Sequence, residues 1–493
     1  MNRDSGNSTV EQLRDTLERC KKERADLLAK NDELTAKIHK QQKYERELLQ
    51  RIYLDKNTGF PNHAYLLRDS HHVFSGHLSE SNRQQSAVIF IALDETFEIL
   101  KKSQAAVVSE WLLYKIAHWI KDIVGKRGKV YHTQDTEFAV IMHNIAETDE
   151  CTELAARISS KISEIHRFPG HHIAIGCHIG FAIYPDHGMD TSSLLRSADI
   201  ALLDCRNKNC GYSMFSYEMD QELMERIDLK NGILRALEEQ AIEEIESQFE
   251  LCFQPLVKVV SLNGGGVKHR IIGSECLLRW NHPMMGSVSP ARFIPLAEES
   301  GLIIPIGNWV MYHATKNLVE FQKHSESPLY LSVNLSPKQF YDPYLIENLK
   351  RVIKMRNLDP TSIQLEITET SVMDDPEDAR MKCDLIQEMG IRISIDDFGT
   401  GYSSLSYLKD LSVDSLKIDK SFIDNVVTNN QNQGIVRAVI SMARSLGLDI
   451  LAEGVEDYKQ VEFIHAEGCS KIQGYYFSKP LRHDEFLSYL SAE

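Results

Sequence analysis

The chain has 493 residues, with 55 Lys and Arg against 71 Asp and Glu, a net charge of −16 with His neutral. That length exceeds one ordinary core and implies two or three folded units. At 42% hydrophobic and 26% charged residues it is a globular chain rather than a disordered or fibrous one. The acidic balance excludes a broad basic surface for nucleic acid or for an anionic membrane. An anionic small molecule stays possible, because bound metal ions supply local positive charge. Nine cysteines without a CxxC pair speak against a disulfide framework or zinc knuckle and for reduced thiols in a cytosol. The N-terminus lacks the apolar core of a signal peptide, and no apolar run approaches the roughly 20 residues of a membrane span. The expectation is a soluble, cytoplasmic protein.

Residues 10–52 contain neither Gly nor Pro and read as one helix. With Val10 at position a, the a positions are Val10, Leu17, Arg24, Asn31, Ile38, Glu45 and Ile52; Leu13, Cys20, Leu27, Leu34, Gln41 and Leu48 fall at d. The heptad predicts a coiled-coil helix over residues 1–52, with Asn31 favouring a parallel, in-register homodimer. An amphipathic helix packed on its own domain is the alternative. The pattern breaks at Gly59 and Pro61, a turn. From there strand-like and helix-like stretches alternate: strands over 87–93 and 173–184, helices over 107–124 and 156–165, and two strands over 129–142 around the polar break 132–136. This predicts an α/β domain over residues 53–216. A charged helix, 217–236, then serves as linker.

Over residues 237–493 strand and helix alternate about eight times. Strand candidates lie at 250–254, 271–278, 330–334, 363–367, 392–396, 415–418, 449–453 and 471–473, the signature of a TIM-like (β/α)8 barrel. Nearly every one ends in or near a polar group: Gln254, Glu275, Asn334, Glu366, Asp396 with Asp397, Lys417, Glu453 and Gln473. Catalytic groups of such barrels gather at the carboxyl ends of the strands. Carboxylates crowded there repel one another and stay ionised only with cations among them. Oxygen ligands select Mg²⁺ or Mn²⁺ over zinc. Adjacent Asp396 and Asp397 can serve two ions, and a metal pair clamps the attacking and leaving oxygens of a phosphoryl displacement. The residues alone therefore suggest phosphoester hydrolysis.

These segments carry a resemblance. Phe253-Gln254-Pro255, Glu275-Cys276-Leu277-Leu278-Arg279, Ser332-Val333-Asn334-Leu335-Ser336, Leu365-Glu366-Ile367-Thr368-Glu369, Asp396-Asp397-Phe398-Gly399-Thr400-Gly401, Leu416-Lys417-Ile418-Asp419, Ala452-Glu453-Gly454-Val455 and Gln473-Gly474-Tyr475 match the EAL-type cyclic di-GMP phosphodiesterases. Cys276 replaces Ala in the name-giving motif and leaves Glu275 in place. The resemblance implies that Glu275, Asn334, Glu366 and Asp396 hold one metal, and Asp396, Asp397 and Glu453 a second. Lys417 would orient the nucleophilic water, with Glu275 and Glu453 beside it in the catalytic group. Gln254 and Arg279 would contact cyclic di-GMP, and Gln473 would support the site. Glu369 would anchor the loop 397–405, which couples dimer contacts to metal geometry. Segments 241–247 and 260–270 are longer than usual for the family.

Residues 54–215 resemble the GGDEF domain through Asn57-Thr58-Gly59-Phe60-Pro61-Asn62, Glu137-Phe138, Ile179-Gly180-Phe181 and Ala198-Asp199. The five signature positions read Gln134-Asp135-Thr136-Glu137-Phe138. Both glycines are lost, so the backbone cannot pass closely under a nucleotide. Thr136 replaces the signature Asp and Ala92 the first metal Asp, leaving Asp94. A degenerate, non-catalytic domain follows: a packing and dimerisation module, or one that senses GTP or docks a protein partner. For the whole chain the competing reading is a cyclic di-GMP receptor without turnover, but such receptors lack several ligands and here all are present.

Overall fold

The computed structural model describes residues 4–75, 85–102, 106–164, 166–168, 171–239, 247–263, 266–373, 375–399 and 405–492. The chain divides into two compact units, Met1–Met224 and Glu225–Glu493.

The first unit opens with a single helix, Asp4–Tyr53. Leu17, Leu27, Leu34, Ile38, Leu48 and Ile52, all from the heptad seam, are exposed on it. After the helix, Asp55 gathers the turn: its Oδ1 accepts the backbone N–H groups of Asn57 (3.0 Å) and Thr58 (2.8 Å) and meets His132 Nδ1 at 2.8 Å. A five-stranded sheet follows, in the order Gly128–Gln134, Glu137–Ile145, Gln85–Leu93, Cys177–Tyr184, Tyr212–Met214. Alternation along the central strand gives the sheet two apolar faces. Ala87, Ile89 and Ile91 join Leu112, Ile116 and Leu154 from helices Ala106–Val124 and Asp149–Ile162. Val88 joins Leu66, Leu194 and Ala198 from helices His63–Ser75 and Thr191–Asn207. Gly180 lets the last helix lie against the sheet, since a Cβ there would fall 2.0 Å from the Leu202 nitrogen.

The helix Tyr217–Glu239 crosses from the first unit into the second, where Leu229, Ile233 and Ala236 join the core. The second unit is a closed eight-stranded barrel. Its strands are Phe249–Asn263, Gly266–His282, Tyr330–Leu335, Ile363–Thr368, Arg392–Phe398, Ser415–Ile418, Asp449–Ala452 and Lys471–Ile472, and the eighth pairs back to the first. From the second strand to the eighth the pairings are parallel. The first strand runs against both neighbours. The expected strand–helix alternation thus fails at its first step, because an antiparallel pair needs only a turn where a parallel pair needs a crossover. The long segment 260–270 is the end of this hairpin, with 264–265 outside the described residues; most of the other, 241–246, also lies outside them. Outward-facing Leu331, Val333, Leu365, Ile393 and Leu416 pack with Val310, Leu349, Ile386 and Val436 of the surrounding helices.

Candidate active site

The alternate side chains of the strands fill the barrel in layers. Leu256, Tyr330 and Leu451 form a buried apolar cluster. Ser332, Gln364, Ser394 and Ser415, all buried, come next. Two residues further along the same strands stand Asn334, Glu366, Asp396 and Lys417. Sequence reasoning passed over the Ser/Gln layer, although a polar residue two places before each site residue is legible as Ser332/Asn334, Gln364/Glu366, Ser394/Asp396 and Ser415/Lys417.

Lys417 is the centre of the site and is 2% exposed. Its Nζ contacts Glu453 and lies 2.9 Å from Glu366 Oε2, 3.2 Å from Asp396 Oδ1 and 3.8 Å from Glu275 Oε2. Asn334 Nδ2 donates to Glu275 Oε1 at 2.6 Å, and Gln473 Nε2 donates to Glu275 Oε2 at 2.6 Å and to Gln254 Oε1 at 3.0 Å. Gln254 pairs directly with Glu275 across the hairpin. It therefore reaches the site from mid-strand, a consequence of the reversed first strand.

Strict alternation would send Asp396 and Asp397 to opposite faces of their strand. The pairing register instead shifts between Ile395 and Phe398, and Asp397 takes φ 52°, a left-handed conformation that Asp tolerates better than most residues. One carboxylate oxygen from each of Asp396, Asp397 and Glu453 then lies within 4.8 Å of the other two. Arg279 shares the strand and face of Glu275, and its guanidinium donates to the Leu278 carbonyl at 2.9 Å. Arg279, Asn334 and Glu366 line one cleft with apolar Leu278, Ile294 and Ile306; Gln254, Glu275, Glu453, Gln473 and Tyr475 line another. Buried Glu369 accepts the Gly399 N–H at 3.2 Å. Residues 400–404 of the loop it was expected to anchor lie outside the described residues.

The electrostatics are those of an over-filled acid cluster. Burial pushes Glu453 up to about 8 and Glu366 well above the carboxylate range, despite Lys417 beside both. Burial and then Asp396 push Asp397 upward. For Glu275 burial works the same way, but Lys417, Gln473 and Asn334 bring the carboxyl below its ordinary value. For Lys417 burial opposes the charge, yet Glu275, Glu366, Glu453 and Asp396 hold the ammonium well above its usual range. One lysine cannot neutralise so many carboxylates. The oxygen-only donor set and the close approach of Asp396, Asp397 and Glu453 fit hard divalent cations.

In the first unit the residues 134–138 form the tip between two sheet strands. Ala92 is fully buried and pairs with Glu137, which is held by Arg206 at 2.8 Å. The Asp94 carboxylate accepts the backbone N–H groups of Gly176 (2.6 Å) and Phe97 (3.3 Å). Among the described residues, no helix is long and apolar enough to cross a membrane.

A barrel with this acid cluster defines the class. The EAL domain model matches residues 235–480, and the model of the diguanylate cyclase GGDEF domain matches residues 52–210. The chain belongs to the tandem GGDEF–EAL family. It is 32% identical over 444 residues to the bifunctional diguanylate cyclase/cyclic di-GMP phosphodiesterase MucR of Pseudomonas aeruginosa, covering 90% of this chain and 62% of MucR. It is 29% identical over 465 residues to the cyclic di-GMP phosphodiesterase NbdA of the same organism, covering 93% of this chain and 57% of NbdA. The solved PaMucR phosphodiesterase in complex with c-di-GMP is 36% identical; the match covers 52% of this chain and 99% of that one, with a TM-score of 0.48. The chain thus spans about three fifths of the length of the two curated relatives.

Proposed function

We propose that the barrel hydrolyses cyclic di-GMP to linear pGpG. The observation that carries this reading is the convergence of Glu275, Glu366, Asp396 and Glu453 on Lys417 at one end of the barrel, with Asn334 bonded to Glu275 and Asp397 beside Asp396 and Glu453. Glu275, Asn334, Glu366 and Asp396 would hold one Mg²⁺ or Mn²⁺ ion, and Asp396, Asp397 and Glu453 a second. Such ions, when bound, supply charge neutralisation and a more acidic water. Lys417 would orient the attacking water with its buried ammonium. Arg279 and Gln254 bind the substrate, the guanidinium being suited to a phosphate oxygen. Gln473 braces Gln254 and Glu275 together. Water adds to one phosphorus and gives up a proton, the ester bond to the ribose oxygen breaks, and that oxygen takes up a proton, which opens the ring.

The GGDEF-like unit is regulatory in this reading and makes no cyclic di-GMP. It offers a place for GTP or a protein partner, and the Asp4–Tyr53 helix pairs two copies as a coiled coil. A receptor without turnover is the competing reading, and the complete ligand set disfavours it. Purified protein incubated with cyclic di-GMP and Mg²⁺, with nucleotides resolved by chromatography, tests the proposal. The expected product is pGpG, and chelation abolishes its formation. Undiminished hydrolysis after exhaustive chelation would sink the two-metal reading; intact cyclic di-GMP at saturating Mg²⁺ would favour the receptor.

A further inference from the structure

The layer beneath the acid cluster contains one strong bond. Ser332 Oγ donates to Glu366 Oε1 at 2.5 Å, and Gln364 Nε2 donates to Ser332 Oγ at 3.2 Å. Ser332 is 0%, Gln364 6% and Glu366 2% exposed. A serine hydroxyl has a single proton. With the Gln364 amide donating to the serine oxygen, that proton is left for Glu366. The two carboxylate oxygens thereby become different: Oε1 is tied to the barrel floor, and Oε2 lies 2.9 Å from Lys417. The register explains why these three residues meet. Ser332 pairs with Gln364, and Glu366 follows two places along, on the same face.

We propose that Ser332, aimed by Gln364, is a positioning residue for Glu366. It pins one carboxylate oxygen and presents the other to the metal subsite. The proposal rests on reading this end of the barrel as a metal site. Groups that orient a ligand from behind typically change metal affinity by about 10–100-fold.

The test is calorimetric titration of the purified full chain with Mn²⁺ in the absence of nucleotide. Ser332→Ala removes one oxygen from a buried position, and Gln364→Leu removes the aiming amide at similar bulk. Ser332→Thr keeps the hydroxyl, and thermal melting by circular dichroism checks that each variant is folded. The expected result is a Mn²⁺ dissociation constant about 10–100-fold higher for Ser332→Ala, a smaller rise for Gln364→Leu, and recovery in Ser332→Thr. In the turnover assay, the Mg²⁺ needed for half-maximal rate shifts upward for Ser332→Ala, while added Mg²⁺ restores the rate. Wild-type Mn²⁺ affinity in a folded Ser332→Ala variant overturns the proposal. So does a rate that falls equally at all Mg²⁺ concentrations, which is the mark of general packing damage. Ser332-dependent Mn²⁺ binding in a protein that leaves cyclic di-GMP intact would uphold the positioning role and remove the phosphodiesterase reading. A wild-type chain that binds no Mn²⁺ overturns both.

Discussion

Glu275 would serve both structure and the proposed chemistry. Its two oxygens take the amide protons of Asn334 and Gln473, and Lys417 lies 3.8 Å away. Removing a buried partner is usually destabilising, because it leaves a charge uncompensated. Here Lys417 keeps Glu366, Asp396 and Glu453, and the loss of one negative charge relieves repulsion among the rest. Glu275→Ala should therefore still fold, although it should melt below the wild type because the Asn334 amide loses its acceptor. Loss of a ligand should still lower hydrolysis by at least about 100-fold, beyond the effect of an outer-shell change. Rates at saturating Mg²⁺ and a melting curve check both halves; a variant with wild-type turnover would remove Glu275 from the ligand set.

Among the elements, the hairpin tip of the first unit is where the proposed loss of cyclase activity is tested. On the proposed reading Ala92 and Thr136 replace the carboxylates of an active cyclase; Glu137 is tied to Arg206, and the Asp94 carboxylate accepts backbone N–H groups. The expected outcome with GTP and Mg²⁺ is no cyclic di-GMP, measured in a Glu275→Ala chain so that product would accumulate; detectable product would restore cyclase activity to this unit. Elements also mark how far the sequence could be read. The barrel strands and their polar ends were legible, because apolar alternation and turn residues are local signals. The reversed first strand was not, since the expected strands stopped at 254 and restarted at 271, while the hairpin that reverses the chain runs on through 260–270, which read as an insertion. Nor was the register shift that brings Asp397 beside Asp396: period-two reasoning alone would have faced it outward. Ser332 and Gln364 were missed because an isolated Ser or Gln in a strand carries no chemical signature until its neighbour is known.

At the scale of the molecule, the Asp4–Tyr53 helix exposes a row of apolar side chains along its heptad seam. Leu17, Leu27, Leu34, Ile38, Leu48 and Ile52 recur at heptad spacing, and Asn31 would face its counterpart only in a parallel, in-register pair. A dimer is expected, and deletion of residues 1–52 should weaken it and lower specific activity at low protein concentration. Light scattering and activity across a dilution series measure both. A shortened chain that stays dimeric and equally active would reduce the helix to a docking tail.

The way the barrel closes also fixes when the site can exist. The first strand waits for the eighth, and the Gln254–Gln473 hydrogen bond joins residues 219 apart in the chain. As the polypeptide leaves the ribosome, the hairpin can form early from local contacts, whereas ring closure must await almost the last strand. Until then Glu275 lacks the amide of Gln473. A nascent or C-terminally shortened chain therefore carries every one of these carboxylates and still has no assembled pocket, so the proposed hydrolysis would begin only once synthesis of the barrel is complete.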